Sequence, residues 1–251
     1  MFRLILGLIF FLLGTTAPAQ TNVSPARQFS SNTHGWWMYF GDHPLKTGSR
    51  WGLHLEGQWR RHDVVTRWQQ LLIRPGVNYE VSKNLVLTAG YAFVATHRYG
   101  EFPTATAFPE HRIFQQAVVK QSLGRWNLSH RYRLEQRFLG EKRALPGGGS
   151  ELLRWRHENR FRYQFRLTHP LRGPWGVALY DEIFLNFGRN VAANVFDQNR
   201  AYAAVTRSLG KSKANRLEVG YLNQIVQQRN GRIFENNHTL QVAIFSTLGL
   251  R

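Results

Sequence analysis

Residues 125–167 decide the fold of this chain, and they read RWNLSHRYRLEQRFLGEKRALPGGGSELLRWRHENRFRYQFRL. Two long segments of alternating residues flank a gap that is rich in proline and glycine. In each segment one parity is apolar, as at Tyr132, Leu134 and Phe138, while the other parity is almost wholly charged. A period of two indicates β-strands, because successive side chains of a strand point to opposite faces.

The length of these segments and the contrast between their faces indicate the class of fold. Strands in soluble sheets usually run about five to six residues, and these segments are far longer. The apolar face needs lipid or a second sheet, whereas the arginine-rich face needs water or carboxylates. We therefore expect an all-β fold, an antiparallel transmembrane β-barrel of about 10–12 strands with short periplasmic turns. A soluble periplasmic β-sandwich is the alternative.

Other alternating segments extend the pattern along the chain. From Trp51 onward we count about ten strands, the even number typical of such barrels. A short aromatic strand at residues 36–40 makes the count odd, so it either pairs irregularly or is joined by a further strand. Pro75 is expected to mark a bulge or an edge. Long connections are expected at residues 99–109, 139–150, 189–197 and 228–235, with short turns at the periplasmic end, where the last strand finishes.

The amino-terminal residues predict export. Residues 1–19 are predicted to be a signal peptide, with Arg3 before an apolar run and Ala17-Pro18-Ala19 as the cleavage site. Residues 20–251 are predicted to form the barrel. The chain contains no cysteine, which excludes disulfides and cysteine-ligated metals. We expect the protein to lie in the outer membrane of a Gram-negative bacterium.

The basic charge of the chain limits its partners. Lysine and arginine outnumber the acids by 33 to 15, for a net charge of +18. Such an excess often marks nucleic-acid binding, but here the arginines alternate along strands instead of forming one patch. We therefore expect no nucleic-acid partner. The expected partners are outer-membrane lipid and lipopolysaccharide, with small anionic solutes as a further candidate, and we expect a monomer.

Several blocks of the sequence resemble a bacterial family of exported proteins. The most specific is Arg131-Tyr132-Arg133-Leu134-Glu135-Gln136-Arg137-Phe138, and a second is Glu110-His111-Arg112-Ile113-Phe114-Gln115-Gln116. Others are Arg74-Pro75-Gly76, Gly90-Tyr91, Asp181-Glu182-Ile183-Phe184, Phe196-Asp197-Gln198-Asn199-Arg200 and Gly220-Tyr221. The family is defined as a domain of unknown function and is placed among outer-membrane β-barrels. The resemblance implies location and fold, and it implies no activity.

The charged residues on the predicted lumen parity form the candidate site. They are Glu110, Arg112, Arg131, Arg133, Glu135, Arg137, Arg154, Arg156, Glu158, Arg160, Arg162, Glu182, Arg200, Arg216 and Glu218. One interpretation is a structural ladder in which these charges neutralise one another. A second is a narrow anion path or a site for an anionic solute, because arginines outnumber acids. A third puts function outside, with Lys142, Arg143 and Arg189 binding lipopolysaccharide phosphates.

The sequence contains no recognisable catalytic centre. Ser129 and His130 are adjacent, so in a strand they face opposite sides and cannot form a catalytic pair. The histidines show no His-x-x-x-His spacing, and Gly147-Gly148-Gly149 lacks the lysine of a phosphate loop. We expect no metal, no cofactor and no catalytic residue, and a structural or transport-related role. The alternatives are an outer-membrane lipid-modifying enzyme of the acyl hydrolase type and a lipopolysaccharide-binding surface protein.

The charges also predict how the two central strands pair. If Phe138 lies opposite Leu153, then Glu135 faces Arg156 and Arg133 faces Glu158. A register that brings Glu135 opposite Glu158 places like charges side by side, which is destabilising. We therefore expect the first register.

Overall fold

The computed structural model describes residues 26–212 and 214–250, so the predicted signal peptide lies outside the described residues. Eleven β-strands make up the described fold. They are β1 Gln28–Pro44, β2 Trp51–His62, β3 Arg67–Ser82, β4 Leu85–Thr96, β5 Phe108–Leu123, β6 Trp126–Ala144, β7 Ser150–Pro170, β8 Trp175–Phe187, β9 Phe196–Leu209, β10 Asn215–Gln227 and β11 Ile233–Ser246. In these two ranges, no helix is long and apolar enough to cross a membrane.

The strands form one closed barrel in which each strand pairs with its sequence neighbours. This confirms the prediction of an all-β barrel. Every pair is antiparallel except β1 with β11, which runs parallel from Gln28 opposite Ile233 to Gly41 opposite Ser246. The chain reverses at each connection, so an odd number of strands leaves the first and last strands pointing the same way. The aromatic strand predicted at residues 36–40 is part of the much longer β1. Its parallel pairing with β11 is the irregular pairing expected from the sequence, and this pairing closes the barrel.

The connections define two ends of the barrel. We call one the turn end, with connections at residues 45–50, 83–84, 124–125, 171–174 and 210–214, and the other the loop end, with connections at residues 63–66, 97–107, 145–149, 188–195 and 228–232. Strand β1 begins at the loop end and β11 finishes at the turn end, where the Leu250 amide donates to the Pro44 carbonyl. Two of the long loops predicted here, at residues 139–150 and 228–235, are short, because β6, β7 and β11 extend further than predicted.

The two faces of the wall differ as the alternation predicts. Charged and amide side chains such as Glu135, Glu218 and Asn237 are fully buried inside, whereas Ile113, Val205 and other apolar residues are half exposed outside. The outer wall also carries polar residues in hydrogen-bonded pairs, such as Asn199 Nδ2 with Asp181 Oδ1 at 3.0 Å. Pairing of this kind satisfies the hydrogen-bonding groups of both side chains.

The predicted register of β6 and β7 is wrong. Glu135 lies opposite Arg160 rather than Arg156, and Glu158 lies opposite Arg137 rather than Arg133. Opposite charges still face each other, but Arg133 now lies opposite Arg162. This like-charged pair is tolerated because each arginine reaches a carboxylate on another strand.

Pro75 marks neither a bulge nor an edge, which corrects the prediction. It lies inside β3 opposite Leu55, and the register with β4 is the same at Ile73 and at Gly76 on either side of it. Gly76 pairs with Gly90 there, and the buried ring of Phe114 packs against both glycines. The absence of two side chains therefore makes the space that the Phe114 ring fills.

We expect Gly90→Ala to destabilise the barrel. A Cβ at residue 90 would clash with the Pro75 carbonyl and lie 2.8 Å from Cε1 of Phe114. Overpacking of this kind costs about 1–3 kcal/mol. The temperature at which the folded form converts to the unfolded form on gels should fall. The matched control is Gly57→Ala, because nothing lies within 4 Å of its Cβ position. Equal stability of the two variants would contradict this packing.

Candidate functional site

A buried carboxylate lies at the middle of the lumen and is surrounded by arginines from the neighbouring strand β7 and from the more distant strand β3. Glu135 of β6 is 0% exposed. Its Oε2 accepts hydrogen bonds from Arg160 Nη2 at 2.6 Å and Nε at 2.9 Å, and its Oε1 accepts one from Arg162 Nη1 at 2.9 Å. Arg74 Nη2 reaches Oε1 at 3.5 Å from β3. Because β3 and β6 are not neighbours, the contact with Arg74 crosses the lumen.

Two further carboxylates extend these contacts across the barrel. Arg74 also donates to Glu56 of β2, which lies 3.8 Å from Arg133 Nη2. Arg162 also contacts Glu182 of β8 at 2.8 Å. We call the connected set the central network: Glu56, Arg74, Arg131, Arg133, Glu135, Arg160, Arg162 and Glu182. It joins β2, β3, β6, β7 and β8 through charge-assisted hydrogen bonds, which are stronger than neutral ones.

Two buried aromatic rings fill the space beside the central network. Phe114 lies 5.4 Å from the guanidinium carbon of Arg74 and 5.1 Å from that of Arg133. Phe184 lies 4.2 Å from Arg162 and 5.2 Å from Arg160. The rings exclude water and attract the cations. Guanidinium groups, carboxylates and rings together fill the middle of the barrel.

Smaller charge clusters lie towards each end of the lumen. On the loop side, Arg112 and Arg137 both contact Glu110 Oε1, at 2.7 Å and 2.5 Å. Arg137 also approaches Glu158 at 3.7 Å. On the turn side, Glu218 accepts from Arg166 and from Arg216, the latter at 3.0 Å.

Most of the charged residues predicted for the lumen lie inside the barrel. Eleven are buried: Glu110, Arg112, Arg133, Glu135, Arg137, Glu158, Arg160, Arg162, Glu182, Arg200 and Glu218. The side chains of Arg131, Arg156 and Arg216 are partly exposed. Arg154 has the predicted parity, but its side chain is 71% exposed and pairs with Glu141 at 2.6 Å. There β7 has left the closed part of the barrel, so Arg154 does not line the lumen.

The sequence reasoning missed several lumen charges. They are Glu56, Arg60, Arg74, Arg166 and Asp197. Glu56 and Arg60 share the parity of His54 and Gln58 in the alternating segment at Trp51, so the signal that could have found them was present. Asp197 lies near the start of β9, within a predicted loop.

The central network separates two cavities. The loop-end vestibule has a volume of about 330 Å³, and Glu56, Arg74, Arg160 and Arg162 contribute to its lining. The turn-end vestibule has a volume of about 540 Å³, and its lining includes Lys83, Lys120, Arg166 and Arg216. No residue lines both cavities, so the two vestibules end on opposite sides of the central network.

The connection at residues 97–107 folds over the loop-end vestibule. The Tyr99 hydroxyl donates to Glu235 Oε2 at 3.0 Å, and Gln228 Nε2 donates to the Phe102 carbonyl at 2.8 Å. Burial, with a smaller contribution from Glu235, raises the pKa of the Tyr99 phenol, so it stays protonated and can donate. These contacts hold the connection against β11 and the β10–β11 loop.

The structure does not bring Ser129 and His130 together. Ser129 lines the turn-end vestibule, while the His130 ring is hydrogen-bonded to the Tyr163 hydroxyl at 2.8 Å on the other face. In the part of the chain that the structure describes, no group of three or more histidine and acidic side chains could hold a metal ion. At the loop end, Arg143 pairs with Glu151 at 2.5 Å, which leaves its charge partly neutralised.

We expect Glu135→Gln to destabilise the barrel strongly. The change removes the charge shared by Arg74, Arg160 and Arg162, and breaking a buried ion pair costs about 3–5 kcal/mol. Urea unfolding in detergent should show this loss of free energy of unfolding. Glu151→Gln is the control, because it removes an exposed pair worth about 0–1 kcal/mol. A loss of the same size in both variants would contradict the central role of Glu135.

This chain is similar in sequence or in fold to known proteins. A family model described as Protein of unknown function (DUF2490) matches residues 33–235. A protein of Methylorubrum extorquens described as uncharacterised is 27% identical over 201 residues, which cover 76% of this chain and 78% of that protein. A crystal structure titled as the NanC porin matches with a TM-score of 0.45 and 11% identity, over 79% of this chain and 90% of that one. Because the family model spans most of the chain, including all of β2 to β10, the protein belongs to the DUF2490 family.

Proposed function

We propose that this protein is an outer-membrane β-barrel with a structural or transport-related role, a lumen closed by the central network and no catalytic centre. The observation that carries the proposal is the set of buried charged side chains inside an apolar wall. A soluble protein would bury its apolar side chains and expose its charges, and this barrel does the opposite. The predicted signal peptide supports export.

The aromatic residues of the outer wall support a membrane position. Trp51, Trp126 and Trp175 lie at the turn end, and Trp59, Trp155 and Phe187 lie towards the loop end. At about 3.3 Å per residue, the rise from Trp175 to Phe187 in a strand tilted by about 40° is roughly 30 Å. That height matches the apolar thickness of a bilayer, about 30 Å. The shorter connections of the turn end favour its placement in the periplasm.

Membrane fractionation tests the location. We expect the protein in the outer-membrane fraction, with a folded form that migrates faster on gels before heating than after it, because closed barrels resist detergent. Glu135→Gln should keep the location and lower the temperature of conversion. Recovery of the wild-type protein wholly from the soluble periplasm would remove the membrane proposal.

The central network favours a closed lumen over an open pore. Water and solute would have to pass Glu135, Phe114 and Phe184, which are at most 1% exposed. Movement of Arg74 away from Glu56 and Glu135 would break its contacts with two buried carboxylates, which costs several kcal/mol. The closed arrangement is therefore the expected resting state.

We expect no steady conductance from the wild-type protein in planar bilayers. Arg74→Ala should produce small steps, because it removes the guanidinium that crosses the lumen between Glu56 and Glu135. Arg143→Ala is the control, since its side chain is exposed at the loop end, and it should remain closed. Steady conductance of the wild type would contradict the closed lumen. Hydrolysis of phospholipid by the purified protein would support the alternative, a lipid-modifying enzyme.

A further inference from the structure

Two buried arginines share one tryptophan ring in the lumen. Arg60 of β2 lies over Trp36 with its guanidinium carbon 4.0 Å from the ring centre, and Arg200 of β9 lies 5.0 Å from the same centre. Trp36 is held in place by a hydrogen bond from its Nε1 to Gln69 Oε1 at 2.8 Å. Strands β1 and β9 are not neighbours, so this arrangement spans the lumen. Both arginines line the loop-end vestibule.

Neither arginine has a carboxylate partner within 4.0 Å in the described residues, in contrast to the arginines of the central network. Arg60 donates to Gln58 Oε1 at 2.8 Å and to Gln70 Oε1 at 2.6 Å. Arg200 donates through Nε to Gln198 Oε1 at 3.0 Å. The acceptors are neutral amides, so two positive charges share the ring and neither forms an ion pair with a carboxylate.

The acids near these two arginines contact other arginines. Glu182 lies opposite Arg200 on β8, but its carboxylate contacts Arg131 and Arg162. Gln58 stands between Arg60 and Glu56, and Glu56 pairs with Arg74. Gln198 stands likewise between Arg200 and Asp197, and Asp197 pairs with Arg160 at 2.7 Å. The sequence outside the described ranges contains no aspartate or glutamate, so it offers no missing side-chain carboxylate.

An anion would satisfy both charges. Arg60 and Arg200 are only 7% and 8% exposed, and a buried charge without a partner is costly. Guanidinium groups bind planar carboxylates and tetrahedral phosphates through paired hydrogen bonds. The terminal nitrogens of Arg200 form no hydrogen bond with the described residues and are free to donate. The vestibule of about 330 Å³ has room for a small solute and excludes a macromolecule.

We propose that Arg60 and Arg200 form an anion-binding site in the loop-end vestibule, for a small solute that carries a carboxylate or phosphate group. The site adds a class of ligand to the proposed function. It rests on that function in one respect only, which is that the loop-end vestibule opens to the medium. It requires no conduction through the central network. Binding in detergent therefore tests the site separately from fractionation and conductance.

Calorimetric titration of the detergent-solubilised protein with inorganic phosphate and with acetate, at constant ionic strength, tests the site. We expect the wild type to bind at least one anion and not glucose. Arg60→Gln and Arg200→Gln should each weaken binding about tenfold or more, since each removes charge-assisted hydrogen bonds. The control is Arg207→Gln, because Arg207 lies 5.2 Å from the Trp175 ring on the outer wall, and its affinity should be unchanged.

A second variant distinguishes loss of the anion site from loss of folding. Gln70→Glu places a carboxylate where Arg60 Nη1 already donates, so it supplies an internal counter-ion. We expect this variant to fold as well as the wild type and to bind the anion about tenfold more weakly. Unchanged affinity in folded Gln70→Glu, no anion binding by the folded wild type, or an equal loss in Arg207→Gln would each overturn the proposal. The anion that binds with the higher affinity identifies the recognised group, phosphate or carboxylate.

Discussion

The ion pairs between Glu135 and its arginines are the interaction on which the rest of this structure depends. A barrel of this size has an interior that side chains can fill, and here the filling is charged. Each buried guanidinium requires an acceptor, and the acceptor often lies on a strand far along the chain, as for Arg74 and Glu135. The network therefore ties non-neighbouring strands together, which the backbone hydrogen bonds of the wall cannot do.

The same requirement explains the positions of residues that carry no charge. Phe114 needs the space left by Gly76 and Gly90 so that its ring can lie beside Arg74 and Arg133. Gln58 and Gln198 hold arginines without neutralising them. The lumen thus contains two kinds of arginine, one kind fixed by carboxylates and the other, Arg60 and Arg200, held by amides and by Trp36. The first kind fills the middle of the barrel, and the second leaves positive charge facing a cavity.

Alternation along the chain was sufficient to predict the barrel and the side of the wall on which most charges lie. It failed at the register of β6 and β7, because the sequence of one hairpin shows only the partners within that hairpin. Arg133 and Arg162 look incompatible as a pair, but each contacts an acid elsewhere, at Glu56 and Glu182. It also failed at the ends of β6 and β7, where the strands continue past the apolar band as a polar hairpin. The cavities depend on side-chain contacts across the lumen, which periodicity does not reveal.

The parallel pairing of β1 with β11 has a consequence for the sidedness of the molecule. Strand β1 starts at the mouth opposite the one where β11 finishes, so the two ends of the barrel segment face different compartments once the barrel spans a bilayer. Ten strands can cross as five hairpins, each led by a loop. The remaining strand of the described fold belongs to no hairpin, and the wall cannot close until β1 has paired with β11. Insertion of such a barrel therefore includes one step that no hairpin-by-hairpin scheme supplies.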